Sequence, residues 1–185
     1  MSLYRPLVLL AVFLSSFAAA QNTSLLAALS KQGLLLSSEE TPEPEPIPGY
    51  DYTKEHALEL DANGTPVVLY VWLAQKEGQD FAPYISVGYR GPLDEPSAQA
   101  FGYVYGFTAT RCMGFEEEQV PEITEFVLGF MSGLSDYWFS DTKQFGDVNL
   151  TIGGQLTEDE LSIILDYEHL GTPGMNGWEL ACALE

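Results

Sequence analysis

From Tyr50 onward, the order of apolar and polar residues is mostly that of β-strands. Ala57 to Leu60 and Val67 to Ala74 flank Asp61-Ala62-Asn63-Gly64-Thr65, where the Asn-Gly pair predicts a tight hairpin turn. Val67 to Leu73 is apolar without a break, which predicts a strand covered on both faces. Tyr84 to Arg90 alternates instead, with Ile85, Val87 and Tyr89 on one side. Gly91-Pro92 opens a turn that runs through Asp94-Glu95-Pro96, and Ala100 to Cys112 reads as a long strand. Asp147 to Gly153, Leu161 to Glu168 and Trp178 to Leu184 read as three more.

One segment keeps a helical period. Ile123, Phe126, Val127, Phe130, Leu134 and Trp138 recur at three- and four-residue steps and give one apolar face. Pro121 suits a first turn, and Glu116, Glu117, Glu118, Glu122 and Glu125 crowd the amino end, where the helix dipole favours negative charge. Gly129 and Gly133 would let the helix lie close on a sheet, at a cost in propensity that packing must offset. The succession is four strands, a helix and three strands. It predicts an α+β fold: a largely antiparallel sheet of about seven strands with one main amphipathic helix packed on it.

The residues before Tyr50 follow other rules. Arg5, the apolar run Leu7 to Phe17 and Ala18-Ala19-Ala20 have the order of a secretory signal peptide over residues 1–20, cut after Ala20. The apolar run is about half of what a membrane-spanning helix needs. Residues 21–36 carry Leu25, Leu26, Leu29 and Leu34 to Leu36, a loosely helical apolar pattern. Residues 37–49 alternate proline and glutamate, which predicts an extended, self-repelling linker. A single domain is then expected over residues 50–185.

Charge narrows the choice of partners. The chain has 7 basic and 27 acidic residues; losing Arg5 with the signal segment leaves 6 against 27, a net charge of −21. A surface so negative repels nucleic-acid phosphates and anionic headgroups. The expected partner is an unknown protein or glycan, with no nucleic acid and no membrane span in the mature chain. Cys112 and Cys182 are the only cysteines. In the oxidising surroundings of a secreted or periplasmic protein they pair most simply with each other. On chain-entropy grounds a bond closing so long a loop is worth ~4 kcal/mol.

Two constellations carry candidate chemistry. At strand spacing Phe101, Tyr103, Tyr105 and Phe107 share one face, either as a stacking platform for sugars or, with the higher prior, as core beneath the helix of Phe126 and Phe130. Phe101-Gly102-Tyr103-Val104 overlaps the middle of an RNA-recognition motif, but Gln99 stands where its leading basic residue belongs. Asp166 and Glu168 fall on one side of a strand, close enough to share a cation or to serve as the carboxyl pair of a glycosidase. Among 27 acidic residues such a pair also arises easily by chance. His56 and His169 form no triad by spacing, and two cysteines with two histidines lack close zinc-ligand spacing. No phosphate-binding glycine loop, His-Glu-x-x-His helix or Gly-x-Ser-x-Gly elbow occurs, so no cofactor is expected. The reading that follows is a non-enzymatic exported binding or scaffolding module. The alternative is a carboxylate-dependent hydrolase acting on carbohydrate.

Overall fold

The computed structural model describes residues 24–78, 82–115, 117–158 and 160–170. The expected signal segment, Cys182 and the strand expected over Trp178 to Leu184 lie outside the described residues. The strands are β1 Leu35–Glu40, β2 Tyr52–Ala62, β3 Thr65–Gln75, β4 Tyr84–Gly91, β5 Phe139–Phe145, β6 Val148–Leu156 and β7 Leu161–His169. They form one sheet in the order β1-β2-β3-β4-β7-β6-β5, every neighbouring pair antiparallel. Among the described residues three α-helices accompany it: α1 Leu25–Lys31, α2 Glu95–Phe107 and α3 Val120–Ser132. The fold is α+β, with four strands before the main helical region and three after it.

Local chemistry sets the register. Asn63 and Gly64 take φ of 56° and 84°, the left-handed pair that a two-residue hairpin turn requires. The turn locks β2 on β3 from Ala62↔Thr65 to Tyr52↔Gln75. One face is then largely apolar. Leu58, Leu60, Leu69, Val71, Val87, Leu150, Ile152, Leu165 and Tyr167 are buried in a single core with residues of all three helices. The other face is open at β3, where Val68 is 41% and Tyr70 36% exposed. The uninterrupted apolar run of β3 therefore does not mean cover on both sides. Its odd-numbered residues enter the core and its even-numbered ones build an aromatic surface.

Ala100 to Cys112 is helical, which corrects the long strand expected there. Asp94 caps α2 by accepting a hydrogen bond from the Ser97 amide at 2.9 Å, and Pro96 occupies the first turn. A π-helical turn, Thr108–Cys112, continues it. The helix is buried on nearly every side from Ala100 to Phe107, so no polar face interrupts its sequence to reveal a helical period. In a helix the four rings no longer share a face. Phe101 and Tyr105, four residues apart, meet Tyr89 of β4 and Tyr167 of β7, with centroids 6.5 and 6.1 Å apart. Tyr103 turns away, and its hydroxyl reaches Gln32 at the end of α1.

The amino-terminal boundary also differs from the expectation. Ser24 caps α1, and Leu25, Ala28 and Leu29 enter the same core as the sheet. Ser37 to Glu40, expected to open the linker, instead lie in β1 and pair with Ala57 to Glu59 and His56 on β2. Glutamates at 39 and 40 keep this outer edge charged, which discourages pairing with another chain. The folded unit thus begins well before Tyr50. Residues 41–51, around the prolines, lack regular structure between β1 and β2. The expected helix over Ile123 to Trp138 ends at Ser132, and β5 begins at Phe139, whose ring packs on Phe130 at 4.5 Å.

Candidate functional site

Asp166 and Glu168 do share a face of β7, the face turned away from the helices. The register sets Asp166 between Ser86 of β4 and Thr151 of β6, and Glu168 between Tyr84 and Asn149. Each carboxyl has a tyrosine beside it. The Tyr50 hydroxyl donates to Glu168 Oε1 at 3.2 Å, and the Tyr84 hydroxyl lies by Asp166. The two rings are 5.5 Å apart, and Lys76 Nζ stands 5.7 Å from the centre of the Tyr50 ring. Residues 41–50 thus end by placing Tyr50 over the sheet.

Burial raises the Asp166 pKa above the ordinary carboxylate range, and the Ser86 and Tyr84 hydroxyls beside it temper that rise. Burial and the charge of Glu168 push the Tyr50 phenol up to about 12. Tyr84 is raised further by burial and Asp166. Asp166 Oδ1 and Ser86 Oγ are buried, yet neither has a hydrogen-bond partner of good geometry. Ser86 and Asp166 are paired neighbours and face the same side of the sheet. Among the described residues no set of three or more His, Cys, Asp or Glu side chains comes together to hold a metal ion.

Beside this polar patch lies an aromatic strip that the sequence reading did not identify. The Trp72 indole packs against Gly88: a Cβ there would sit 2.8 Å from Trp72 Cζ3. Trp138 lies on Gly153 in the same way, where a Cβ would meet its Cζ2 at 2.9 Å. Ile164 is paired between those two glycines, so the rings stand over β4 and β6 with β7 between them. Two strand spacings separate the glycines, about 10 Å. Tyr70 extends the strip by stacking on Trp72, centroids 5.9 Å apart and planes at 25°. The available signal was glycine within strand patterns, which marks a close approach by another group.

The other candidates fall elsewhere. Phe101, Tyr103, Tyr105 and Phe107 are all buried in α2 and present no surface to a ligand. Cys112 is buried at the end of the π-helical turn, and its expected partner lies outside the described residues. His56 is buried with its Nε2 3.9 Å from a Glu40 carboxylate oxygen. His169 lines a pocket of about 290 Å³ with Met113, Gln119 and Asp147. Burial lowers its pKa, and the nearby Asp147 charge works against that shift. The pocket lies at the helical side, away from Asp166 and Glu168. No helix among the described residues is long and apolar enough to cross a membrane. No known protein family matches the chain, and neither a characterised protein nor a solved structure is detectably similar to it.

Proposed function

We propose that the chain is an exported, non-enzymatic binding module whose working surface is the open face of the sheet. The observation that carries this reading is the paired arrangement of Trp72 on Gly88 and Trp138 on Gly153. Two large rings packed down on glycines of the open face, beside buried polar atoms that make no hydrogen bond of good geometry, make a surface prepared for a ligand. The signal-peptide pattern and the acidic composition support export, and in that setting Cys112 and Cys182 form a disulfide.

A second reading keeps the carboxylate-dependent hydrolase, because burial makes Asp166 a carboxyl that holds its proton to higher pH, as a general acid must. The placement of Asp166 and Glu168 on one face of the same strand favours binding over hydrolysis, since a hydrolase must enclose the scissile bond between its two carboxyls.

The test has three parts. Fractionation of expressing cells, with mass determination of the exported product, should find a chain that begins at Gln21 and has no free thiol. The mature protein should be retained by envelope or extracellular material, and a Trp72→Ala/Trp138→Ala variant should not be. No hydrolysis of polysaccharide should accompany retention; turnover that disappears in Asp166→Asn would install the hydrolase reading instead.

A further inference from the structure

Resting on that reading, we infer that the ligand is a neutral glycan chain, lying across the strands over Tyr70, Trp72, Ile164 and Trp138. A pyranose ring carries its C–H groups on flat faces and its hydroxyls around the rim. The C–H face packs on the electron-rich face of an indole, and the rim needs hydrogen-bonding groups at the sides. The sheet supplies both. The strip from Tyr70 through Gly88, Ile164 and Gly153 to Ser140 is one register row. The row on one side holds Glu55, Trp72, Ser86, Asp166, Thr151 and Thr142, and the Trp72 ring leans from it over Gly88; the row on the other holds Glu59, Val68, Arg90, Ser162 and Gln155. Aromatic rings with polar groups on both margins, interrupted by Val68, fit a chain with an apolar face and polar edges. The glycines beneath the indoles are about 10 Å apart by strand spacing, wider than one sugar ring, so the track addresses a chain rather than a monosaccharide.

Charge chooses among glycans. Four carboxyl groups, Glu55, Glu59, Asp166 and Glu168, border the track. Arg90 is already engaged with Glu160, Nε to Oε1 at 2.7 Å. Uronic-acid and sulfated polymers are therefore repelled, and so is a second copy of this acidic chain. Hydroxyl groups are welcome, because a sugar O–H can join the cluster of Asp166, Ser86 and Tyr84, in which Asp166 Oδ1 and Ser86 Oγ make no hydrogen bond of good geometry. Ser86 is 1% exposed, so only a group pressed into the sheet would reach it.

Native gels cast with hydroxyethylcellulose, xyloglucan, galactomannan or laminarin, and with alginate as the polyanion, test this on the full mature chain. At least one neutral polymer should retard migration, alginate should not, and the bound polymer should alter tryptophan fluorescence. Trp72→Ala and Trp138→Ala should each weaken retardation tenfold or more while the melting temperature stays near that of the parent. Should Trp72→Ala melt early, Tyr70→Ala replaces it, because that ring is partly exposed and rests on Trp72. The inference is overturned by no retardation in any neutral polymer, by retardation in alginate alone, or by retardation that survives all three substitutions. It is also overturned if envelope binding depends on the tryptophans but is destroyed by protease and spared by glycosidases. In that last case the binding-module reading stands and the partner is a protein.

Discussion

The two faces of this sheet use the same residue types to opposite ends. On the helical face, aromatic rings are interior: Tyr105 of α2 is fully buried and stacks on the equally buried Tyr167. On the open face, rings are exterior. Trp138 is 52% exposed, and it packs down on the sheet because Gly153 has no side chain beneath it. An aromatic beside a glycine can therefore mark a core or a ligand surface. What separates the two is the backbone, because helix α2 can be enclosed on all sides while a sheet without helices on one face must leave its rings in water.

The contrast is sharpest in stability. Tyr105→Ala removes a fully buried ring and leaves a cavity, so it should cost ~3–5 kcal/mol in denaturant unfolding. Trp138→Ala removes an equally large ring from the open face and should cost about 1 kcal/mol or less. Equal losses would mean that the open face is covered in the full chain, and the comparison would collapse.

Leu29→Ala asks how far the helical face extends. Leu29 is fully buried within the common core although it precedes β1, so the change should cost ~2–4 kcal/mol. A fragment beginning at Tyr50 should accordingly be less stable than the mature chain, even though protease should still cut within the irregular residues 41–50. A neutral Leu29→Ala would return α1 to the status of a detached arm.

The sheet was legible because hairpin chemistry and alternation are local signals: Asn63-Gly64 set the β2–β3 turn, and Leu161 to Tyr167 alternate except at Ile164. The error at α2 had a physical source. Its burial on nearly every side leaves no polar stripe, and aromatics at every second residue imitate a strand face more than they reveal a 3.6-residue period. The capping group Asp94 was the contrary sign, read only as part of a turn. β1 was hidden because it is an edge strand whose pairing is carried by the backbone, with Ser37, Ser38, Glu39 and Glu40 giving no apolar alternation. For the candidate site, the placement of Asp166 and Glu168 on one face followed from strand period alone. The aromatic track did not, because it joins Trp72, Ile164 and Trp138 from distant parts of the chain and only the strand order 3-4-7-6 brings them side by side.

Gly153→Ala breaks the open face without touching the helical one. Its new Cβ would meet Trp138 Cζ2 at 2.9 Å and Ile164 Cγ2 at 3.4 Å, so the exposed indole should swing off the sheet. The stability cost should be about 1 kcal/mol, because the ring is free to move into solvent. Ligand retention should fall as far as in Trp138→Ala, with an altered emission spectrum reporting the displaced ring. Parental retention in Gly153→Ala would show that the packed pose of Trp138 is not what the ligand uses.

The smallest effect comes from Asp166, which with Ser86 forms a buried polar patch on the open face. Its folded pKa is raised, so the folded state holds the proton more tightly than the unfolded chain, where the value is near 3.8. The stability it contributes is complete below that value and is lost as pH rises through the raised folded pKa. Asp166→Asn keeps the shape and removes this titration. The variant should be more stable than the parent at neutral pH, and the gap should close as pH falls toward 3.8. Because every other carboxyl titrates in both proteins, the difference between the two unfolding curves isolates this group. A gap that does not change with pH would mean that the Asp166 carboxyl is as well solvated as one on the exposed edge, and the sheet would then have no partly interior patch beneath the aromatic track.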